Sequence, residues 1–354
     1  MDDRLAVTIN GQSVRGKKGQ TVLEVCRENG LYVPTLCYHS KMPPYGGCRL
    51  CIVEIQNMRG FPPSCTTPAA DGMNISTHTE KLIRLRKTVL ELLLAYGDHN
   101  CLMCESNGEC ELQKLVYEHG IRQVRFNTDF VPKPVDDSSS MIVRDPNKCV
   151  LCGRCVRACL SIQVNGVIDI AARGSESFIT TFNNGTLKDS DCAFCGECMA
   201  TCPTGALTYK QARFRGRSWE LKKTVTTCAY CGVGCQLELN VKDNEVVKVT
   251  SDPDIPGPNR GSLCVKGRFG MDFIHHADRL TKPLIRKEGV LQEAGWDEAL
   301  DLVAQKFGSL RDQSGPDSLA VFSSARCTNE ENYLMSKLSR AVIGTNNIDH
   351  CARL

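Results

Sequence analysis

Cysteines form the clearest chemical pattern in this 354-residue sequence. The chain carries 22 of them, and most recur at spacings of two or three residues. Thiolates spaced in this way ligate iron–sulfur clusters or zinc. The alternative is a disulfide framework, but that is typical of small secreted domains, and no apolar secretory segment follows Met1. We therefore expect metal-ligating thiols in a reducing cytoplasm.

One group of four cysteines organises the rest of the chain. Cys228, Cys231 and Cys235 lie close together, and Cys264 follows after 28 residues. Three clustered cysteines and a distant fourth fit a [4Fe–4S] cluster, and the two glycines before Cys235 let the backbone fold closely around it. A four-cysteine zinc site is the alternative, but it usually has two short cysteine pairs.

Two runs of cysteines, each with spacings of two, two and three residues, form an internal repeat. This is the pattern of bacterial two-cluster ferredoxins, in which the fourth cysteine of each run ligates the other cluster. The predicted ligand sets are Cys149, Cys152, Cys155 and Cys202 for one [4Fe–4S] cluster, and Cys192, Cys195, Cys198 and Cys159 for the other. The 32 residues between Cys159 and Cys192 predict an inserted hairpin around residues 183–185.

Two further groups of cysteines precede the repeat. The first comprises Cys37, Cys48, Cys51 and Cys65, whose spacing differs from that of plant-type ferredoxins. The second has only Cys101, Cys104 and Cys110, so a four-iron cluster there needs a ligand that is not a cysteine. Cys26 lies outside these groups and is expected to be a small buried apolar residue.

Local signals predict the elements that position these thiols. Val7 and Ile9, the dipeptide Asn10-Gly11 and Val14 predict a β-hairpin, and a capping box at residues 21–24 opens a helix after it. Hairpin followed by helix suggests a β-grasp. A second capping box at residues 77–80 opens a helix to about residue 96, and a third at residues 328–331 follows an apolar strand. Residues 132–140 are predicted to be a flexible joint, and the basic residues 210–223 a solvated linker.

The motifs together resemble the bis-pterin oxidoreductases of molybdenum or tungsten, in particular the catalytic subunit of cytoplasmic, multi-cluster formate dehydrogenases. The resemblance covers the whole chain and is strongest in the cysteine spacings and in residues 263–268 and 325–331. It implies a [2Fe–2S] cluster on Cys37, Cys48, Cys51 and Cys65, in a domain shared with complex I and iron-only hydrogenases. With four [4Fe–4S] clusters, the predicted iron content is about 18 per chain.

At the position of the expected fourth ligand of the three-cysteine cluster, the sequence departs from the family pattern. The resemblance implies a histidine four residues before the first cysteine, a position that Gly97 occupies here. The nearest histidine is His99, which we expect to complete the cluster, with Asp98 as the alternative.

The resemblance also implies residues that contact a bis-molybdopterin guanine dinucleotide. Lys266 would lie between the cluster and the pterin as an electron relay, with Arg268 beside it. The expected dinucleotide contacts are Arg326, Cys327, Thr328 and Asn329, although filling the loop is the favoured role of Cys327 itself.

The metal-ligating residue itself would follow Leu354 directly, as selenocysteine or cysteine, with Cys351 as its neighbour. We expect that a selenocysteine codon directly after Leu354 was read as a stop codon. The alternative is that the sequence is a fragment with an arbitrary end. The fragment alone is expected to be inactive.

The predicted fold class is α+β multidomain. The expected domains are a β-grasp [2Fe–2S] ferredoxin domain over 1–78; a helical three-cysteine-plus-histidine [4Fe–4S] domain over 79–135; a two-[4Fe–4S] ferredoxin domain over 136–215; the bis-pterin oxidoreductase [4Fe–4S] domain over 220–276; and an incomplete α/β pterin-binding domain over 277–354. The partners implied are a flavin- and NAD-binding diaphorase-type subunit with a small [2Fe–2S] subunit, or ferredoxin, and the substrate pair is formate and CO2.

Other functions compete with formate oxidation. A complex I large iron–sulfur subunit normally lacks the paired ferredoxin runs, and an iron-only hydrogenase has other cysteines after the third module. A non-catalytic electron-transfer subunit is the third alternative. The formal charge of +3 does not indicate nucleic acid binding, because bound clusters make the protein net acidic and no basic stripe with aromatics occurs. No apolar run of membrane-spanning length is present.

Overall fold

The computed structural model describes residues 4–352. The chain divides into two compact units. Unit 1 comprises Met1–Lys223 and Asn240–Thr250, and unit 2 comprises Thr224–Leu239 and Ser251–Leu354. In the described part of the chain, no helix combines the length and apolar character that a membrane crossing needs.

Short strands and helices alternate along the chain. The strands are β1 (Arg4–Ile9), β2 (Gln12–Lys17), β3 (Glu54–Ile55), β4 (Asn74–Ser76), β5 (Ile142–Arg144), β6 (Ile168–Ala171), β7 (Phe178–Thr181), β8 (Leu207–Tyr209), β9 (Lys222–Thr227), β10 (Gln236–Lys242), β11 (Glu245–Thr250), β12 (Leu284–Lys287), β13 (Val290–Glu293), β14 (Val321–Ser323) and β15 (Ile348–His350). The helices are α1 (Val22–Glu28), α2 (Glu80–Ala95), α3 (Glu111–Glu118), α4 (Arg154–Arg157), α5 (Glu197–Ala200), α6 (Val265–Phe269), α7 (Trp296–Ser314) and α8 (Asn329–Lys337).

The amino-terminal sheet of unit 1 has the strand order β2-β1-β4-β3, with β1 antiparallel to β2 and parallel to β4. Asn10 and Gly11 both have positive φ, as a two-residue hairpin turn requires, so the predicted hairpin is confirmed. The capping box between Thr21 and Glu24 opens α1, as expected. Apolar side chains between sheet and helix form the core, among them Val7, Ile9, Val22, Leu23, Val25, Cys26 and Ile75.

The start of α2 differs from the prediction. Thr79 is the N-cap, because its hydroxyl accepts a hydrogen bond from the Leu82 backbone N–H at 3.2 Å. Thr77 was expected to cap this helix. Its backbone N–H instead donates to Asn10 Oδ1 and its hydroxyl accepts from Asn10 Nδ2, both at 2.8 Å. The predicted capping box at residues 77–80 is therefore wrong, because a distant partner takes the threonine.

Residues 132–140 are ordered by specific contacts, so the flexible joint is also wrong. Asp136 pairs with Arg144 through two backbone hydrogen bonds of 2.9 Å and an ion pair of 3.3 Å. Its carboxylate also accepts from the Leu187 N–H at 2.8 Å. The joint is thereby fixed to β5 and to the ferredoxin repeat.

The insertion between the ferredoxin runs is a hairpin, as expected, but its turn lies elsewhere. Strands β6 and β7 pair antiparallel, with Ala171 opposite Phe178. Residues 172–177 therefore form the turn. The Asn-Asn-Gly segment at residues 183–185, predicted to be that turn, follows β7 as a short helical turn.

In unit 2, β12 and β13 form an antiparallel hairpin, and β14 pairs in parallel with β15. The capping box between Thr328 and Glu331 opens α8 as predicted, and the helical segment continues to Ile343 before Gly344 ends it at φ +90°. Helix α7 exposes apolar side chains to solvent, with Leu300 59% and Phe307 41% exposed.

Candidate metal centres

Three of the four thiols in the first site are buried in the loop that follows α1. Cys37, Cys51 and Cys65 are at most 1% exposed, and Cys48 is half-buried. The Cys48 backbone N–H donates to Cys37 Sγ at 3.4 Å. A hydrogen bond from the Cys48 thiol holds the pKa of Cys37 well below its usual value. Buried, hydrogen-bonded thiols of this kind suit an iron–sulfur cluster.

A buried arginine on α2 fixes this loop. Arg86 is 1% exposed and donates to the backbone carbonyls of Leu50 at 2.9 Å and Ile52 at 2.8 Å. These carbonyls flank Cys51 on both sides. The guanidinium therefore determines where the Cys51 thiol lies.

The two ferredoxin runs adopt the same local geometry. Leu151 and Phe194 have φ of +52° and +48°, and each N–H donates to the cysteine two residues earlier, Cys149 or Cys192, at 3.4 Å. A left-handed residue turns each chain back over its thiol. The repeat seen in the sequence is thus a repeat in backbone conformation.

The structure brings together the thiols of each cross-ligated set. The first set lines one cavity and comprises Cys149, Cys152, Cys155 and Cys202. Burial raises the pKa of Cys198. The nearby thiols of the second set, Cys195, Cys192 and Cys159, raise it further, as does Cys202 of the first set. This arrangement is the one predicted from the two-cluster ferredoxin pattern, and the ligand assignment stays a prediction.

The [2Fe–2S] loop is fastened to the ferredoxin repeat within unit 1. Arg157 donates to the carbonyls of Cys37 and Pro43 and stacks on Tyr45, with 5.3 Å from the guanidinium carbon to the ring centroid. Cys48 lines a cavity shared with Cys149 and Cys152 of the repeat. The sequence did not predict this role of Arg157, because its partners are backbone carbonyls 114 and 120 residues away.

The three-cysteine site contains both candidate fourth ligands. Cys101, Cys104 and Cys110 line one cavity with His99 and Asp98. His99 is half-buried, its Nε2 lies 3.2 Å from the Leu93 carbonyl oxygen, and burial lowers its pKa. Burial thus favours the neutral imidazole, which is the form that binds metals. Asp98 is exposed, and its carboxylate accepts from the Asn100 N–H at 3.2 Å.

The glycine at position 97 has a structural explanation. Its φ is +142°, and a Cβ built there would lie 2.7 Å from the Asn147 carbonyl oxygen and 3.0 Å from His99 Nε2. Any side chain at position 97 would thus overlap backbone and the histidine that lines the cavity. The position of the His99 ring therefore requires a glycine at position 97.

The basic segment 210–223 is only in part the solvated linker that the sequence favoured. Its basic side chains at positions 213, 215, 222 and 223 are exposed, as expected. Arg217 instead donates to the carbonyls of Leu102 at 2.7 Å and Cys104 at 2.6 Å, and the Trp219 ring packs against Gly108. The sequence did not distinguish Arg217, because a basic residue in a solvated linker and one that contacts backbone look alike there.

In unit 2, the four thiols of the last site lie together. Burial raises the pKa of the Cys235 thiol. The nearby thiols of Cys228, Cys231 and Cys264 raise it further. The Cys228 N–H donates to the Cys235 carbonyl at 2.8 Å and closes the loop. A Cβ at Gly267 on α6 would lie 3.5 Å from Cys228 Sγ, so this helix packs directly on the site.

The expected cofactor contacts lie beside this cluster loop. The residues of the loop after β14 are exposed, namely Arg326, Cys327, Thr328 and Asn329. A Cβ at Gly232 would lie 3.5 Å from the Ala325 carbonyl oxygen, so the two loops touch. Lys266 is exposed, whereas Arg268 is buried at 2% exposure. Ser324 Oγ lies 3.5 Å from Cys351 Sγ, at the carboxyl ends of β14 and β15.

Within residues 4–352, all cysteines are free thiols, and no three His, Cys, Asp or Glu side chains are close enough to hold a single metal ion. The donor sets that the structure assembles are three or four cysteines, with backbone N–H groups directed at several sulfurs. Thiolate donors with such hydrogen bonds are those that iron–sulfur clusters use.

Five domain-family profiles match the chain in sequence. They are the 2Fe-2S iron-sulfur cluster binding domain over residues 2–80, the NADH-ubiquinone oxidoreductase-G iron-sulfur binding region over 86–125, the 4Fe-4S dicluster domain over 148–206, the molybdopterin oxidoreductase Fe4S4 domain over 221–276 and the molybdopterin oxidoreductase domain over 279–354. The chain therefore carries 2Fe-2S, 4Fe-4S and molybdopterin oxidoreductase domains. The predicted fold class is thereby confirmed.

Proteins similar in sequence to this chain carry several names. The NADPH-Fe(3+) oxidoreductase subunit alpha of Geobacter sulfurreducens is 37% identical over 99% of this chain and 40% of its own length. A Rhizobium meliloti protein named as part of an NADH-quinone oxidoreductase is 38% identical over 99% of the chain and 40% of its own. A Staphylococcus aureus protein provisionally named a formate dehydrogenase is 35% identical over the whole chain and 39% of its own length. The chain thus spans about 40% of the length of these relatives.

A solved structure resembles this chain. One chain of an NAD+-reducing [NiFe]-hydrogenase in the H2-reduced state is 38% identical, with a TM-score of 0.57, over 60% of this chain and 90% of that chain. The similarity therefore extends to one chain of an NAD+-reducing hydrogenase.

Proposed function

We propose that this chain is part of the catalytic subunit of a formate dehydrogenase, an iron–sulfur oxidoreductase that converts formate to CO2. A bis-molybdopterin guanine dinucleotide with molybdenum or tungsten would supply the two-electron oxidation when bound. Support comes from the molybdopterin oxidoreductase profile over residues 279–354 and from the relative provisionally named a formate dehydrogenase.

The contact between two loops of unit 2 carries the proposal. Gly232, in the loop of Cys228, Cys231 and Cys235, lies against the Ala325 carbonyl of the segment expected to bind the pterin. A cluster-binding loop that touches a cofactor-binding loop can exchange electrons with that cofactor directly. Exposed Lys266, two residues after Cys264, would place a positive charge where the reduced cluster and cofactor need it.

Within unit 1, neighbouring sites support a relay of single electrons. Cys48 shares a cavity with Cys149 and Cys152, and Thr204 lines both the cavity of Cys202 and that of Cys104. The [2Fe–2S] site, the first ferredoxin site and the three-cysteine site are thus adjacent. The acceptor that we propose is a diaphorase-type NAD-binding subunit with a small [2Fe–2S] subunit, or ferredoxin, in the cytoplasm. The likeness to the NAD+-reducing hydrogenase supports the first of these.

An electron-transfer subunit without formate chemistry is the second candidate. The relatives named NADPH-Fe(3+) oxidoreductase and NADH-quinone oxidoreductase are 37% and 38% identical to this chain, slightly above the 35% of the formate dehydrogenase relative. Such a protein would use the same clusters and a different electron donor.

An anaerobic assay of the full-length protein with its partner subunits separates the two candidates. We expect formate-dependent reduction of NAD+, and molybdenum or tungsten in the purified protein by elemental analysis. If NADPH-dependent reduction of Fe(III) proceeds while formate gives no reduction in a metal-replete sample, the protein is an electron-transfer oxidoreductase and the formate proposal is wrong.

A further inference from the structure

The segment between the ferredoxin repeat and β9 lies across the three-cysteine loop. We call residues 214–220 the basic strap. The Phe214 N–H donates to Glu105 Oε1 at 3.0 Å, and Ser218 Oγ donates to the Asn107 carbonyl at 3.4 Å. A Cβ at Gly108 would lie 2.9 Å from the Trp219 ring. The strap therefore follows the loop from one end to the other, all within unit 1.

Arg217 makes the most specific of these contacts. One terminal nitrogen of its guanidinium donates to the Cys104 carbonyl at 2.6 Å and the other to the Leu102 carbonyl at 2.7 Å. These carbonyls belong to a predicted ligand and to a residue between two ligands. A planar guanidinium can hold two carbonyls in a fixed relation, which the ammonium of a lysine cannot do.

The guanidinium also places a permanent positive charge beside the site. Its side chain is half-buried, so solvent screens the charge less than it would at the surface. Reduction adds one negative charge to an iron–sulfur cluster, and a nearby cation favours that reduced form.

We propose that Arg217 is a positioning residue for the cluster on Cys101, Cys104 and Cys110, and that its charge raises the reduction potential of that cluster. The inference rests on the proposed function, since it assumes that these thiols bind a [4Fe–4S] cluster. It assigns a redox role to a segment whose sequence indicates only a linker.

Two substitutions separate the charge of Arg217 from its geometry. Arg217→Gln removes the charge, whereas Arg217→Lys keeps it and removes the paired contact. Arg215→Gln is the matched control, because Arg215 lies on the same strap, is exposed and pairs with Glu245 at 3.0 Å, away from the loop. Each variant is made in the full-length protein and purified anaerobically. The cluster signal is assigned as the one that Cys110→Ser abolishes or converts.

The measurements are iron content, the proportion of three-iron signal in electron paramagnetic resonance, and the midpoint potential by redox titration. We expect Arg217→Gln to lower the midpoint potential of this one cluster, and Arg217→Lys to leave the potential near the original while increasing cluster loss. Arg215→Gln should change neither.

Two outcomes would overturn the inference. An Arg217→Gln protein with full iron and an unchanged potential shows that the contact is structural only, and an equal shift in Arg215→Gln shows a general effect of surface charge. Failure of the proposed function looks different. Loss of formate activity alone leaves the cluster signal in place, because both candidate functions use these clusters. Absence of the cluster itself leaves the unsubstituted protein with no signal that depends on Cys110.

Discussion

Arg86 on α2 offers the sharpest test of how the [2Fe–2S] loop is held. In Arg86→Ala, the carbonyls of Leu50 and Ile52 lose donors at 2.9 and 2.8 Å in a site where the arginine is 1% exposed. Each hydrogen bond to a charged donor is worth about 1.5–3 kcal/mol, so the local free energy of opening should fall by about 3–6 kcal/mol. Because 1.4 kcal/mol is a factor of ten, that is about two to four orders of magnitude in the opening equilibrium.

Hydrogen–deuterium exchange of the full-length protein measures this loss locally. The amides of residues 48–55 should exchange faster in Arg86→Ala by that factor, while those of unit 2 keep their protection. Arg86→Lys should lose about half as much free energy, since one ammonium cannot reach both carbonyls well. Arg84→Ala is the control, because Arg84 lies on the same helix but is exposed, and its effect should stay within about 0.5 kcal/mol. Unchanged protection in Arg86→Ala, or an equal loss in Arg84→Ala, would refute the reasoning.

Three further predictions concern the clusters. Anaerobically reconstituted protein should hold about 18 irons per chain; about half that iron, with zinc in the remainder, would contradict five clusters. His99→Ala should convert the cluster at Cys101, Cys104 and Cys110 to a three-iron form seen by electron paramagnetic resonance, and survival of the cluster there, with loss in Asp98→Ala, would make Asp98 the ligand. Gly205→Ala should lower the iron by about four, because the new Cβ would overlap Cys104 Sγ; an unchanged iron content would show that the loop can move aside.

The elements that the sequence predicted correctly depend on neighbouring residues alone. The Asn10-Gly11 turn and the capping boxes that begin at Thr21 and Thr328 close within two to four residues. Thr77 had the same local signal, but Asn10 takes its hydrogen bonds from 67 residues away. Local patterns therefore predict structure until a distant partner competes.

The candidate sites divide in the same way. Cysteine spacing was enough to group the thiols, because iron ligation constrains the spacing directly. The arginines that position the loops could not be found, since Arg86, Arg157 and Arg217 each donate to backbone carbonyls 34 to 120 residues away. Every residue type carries the same backbone carbonyl, so such a contact leaves no pattern in the sequence.

The hydrogen bonds from Arg157 to the [2Fe–2S] loop imply an order of folding during synthesis. The β-grasp residues leave the ribosome first, and the loop from Cys37 to Pro43 has no guanidinium to hold it until residue 157 has emerged and α4 has formed. Until then the loop lacks the contacts that join it to the ferredoxin repeat. The final conformation of the first domain to be synthesised therefore depends on a residue of a later one.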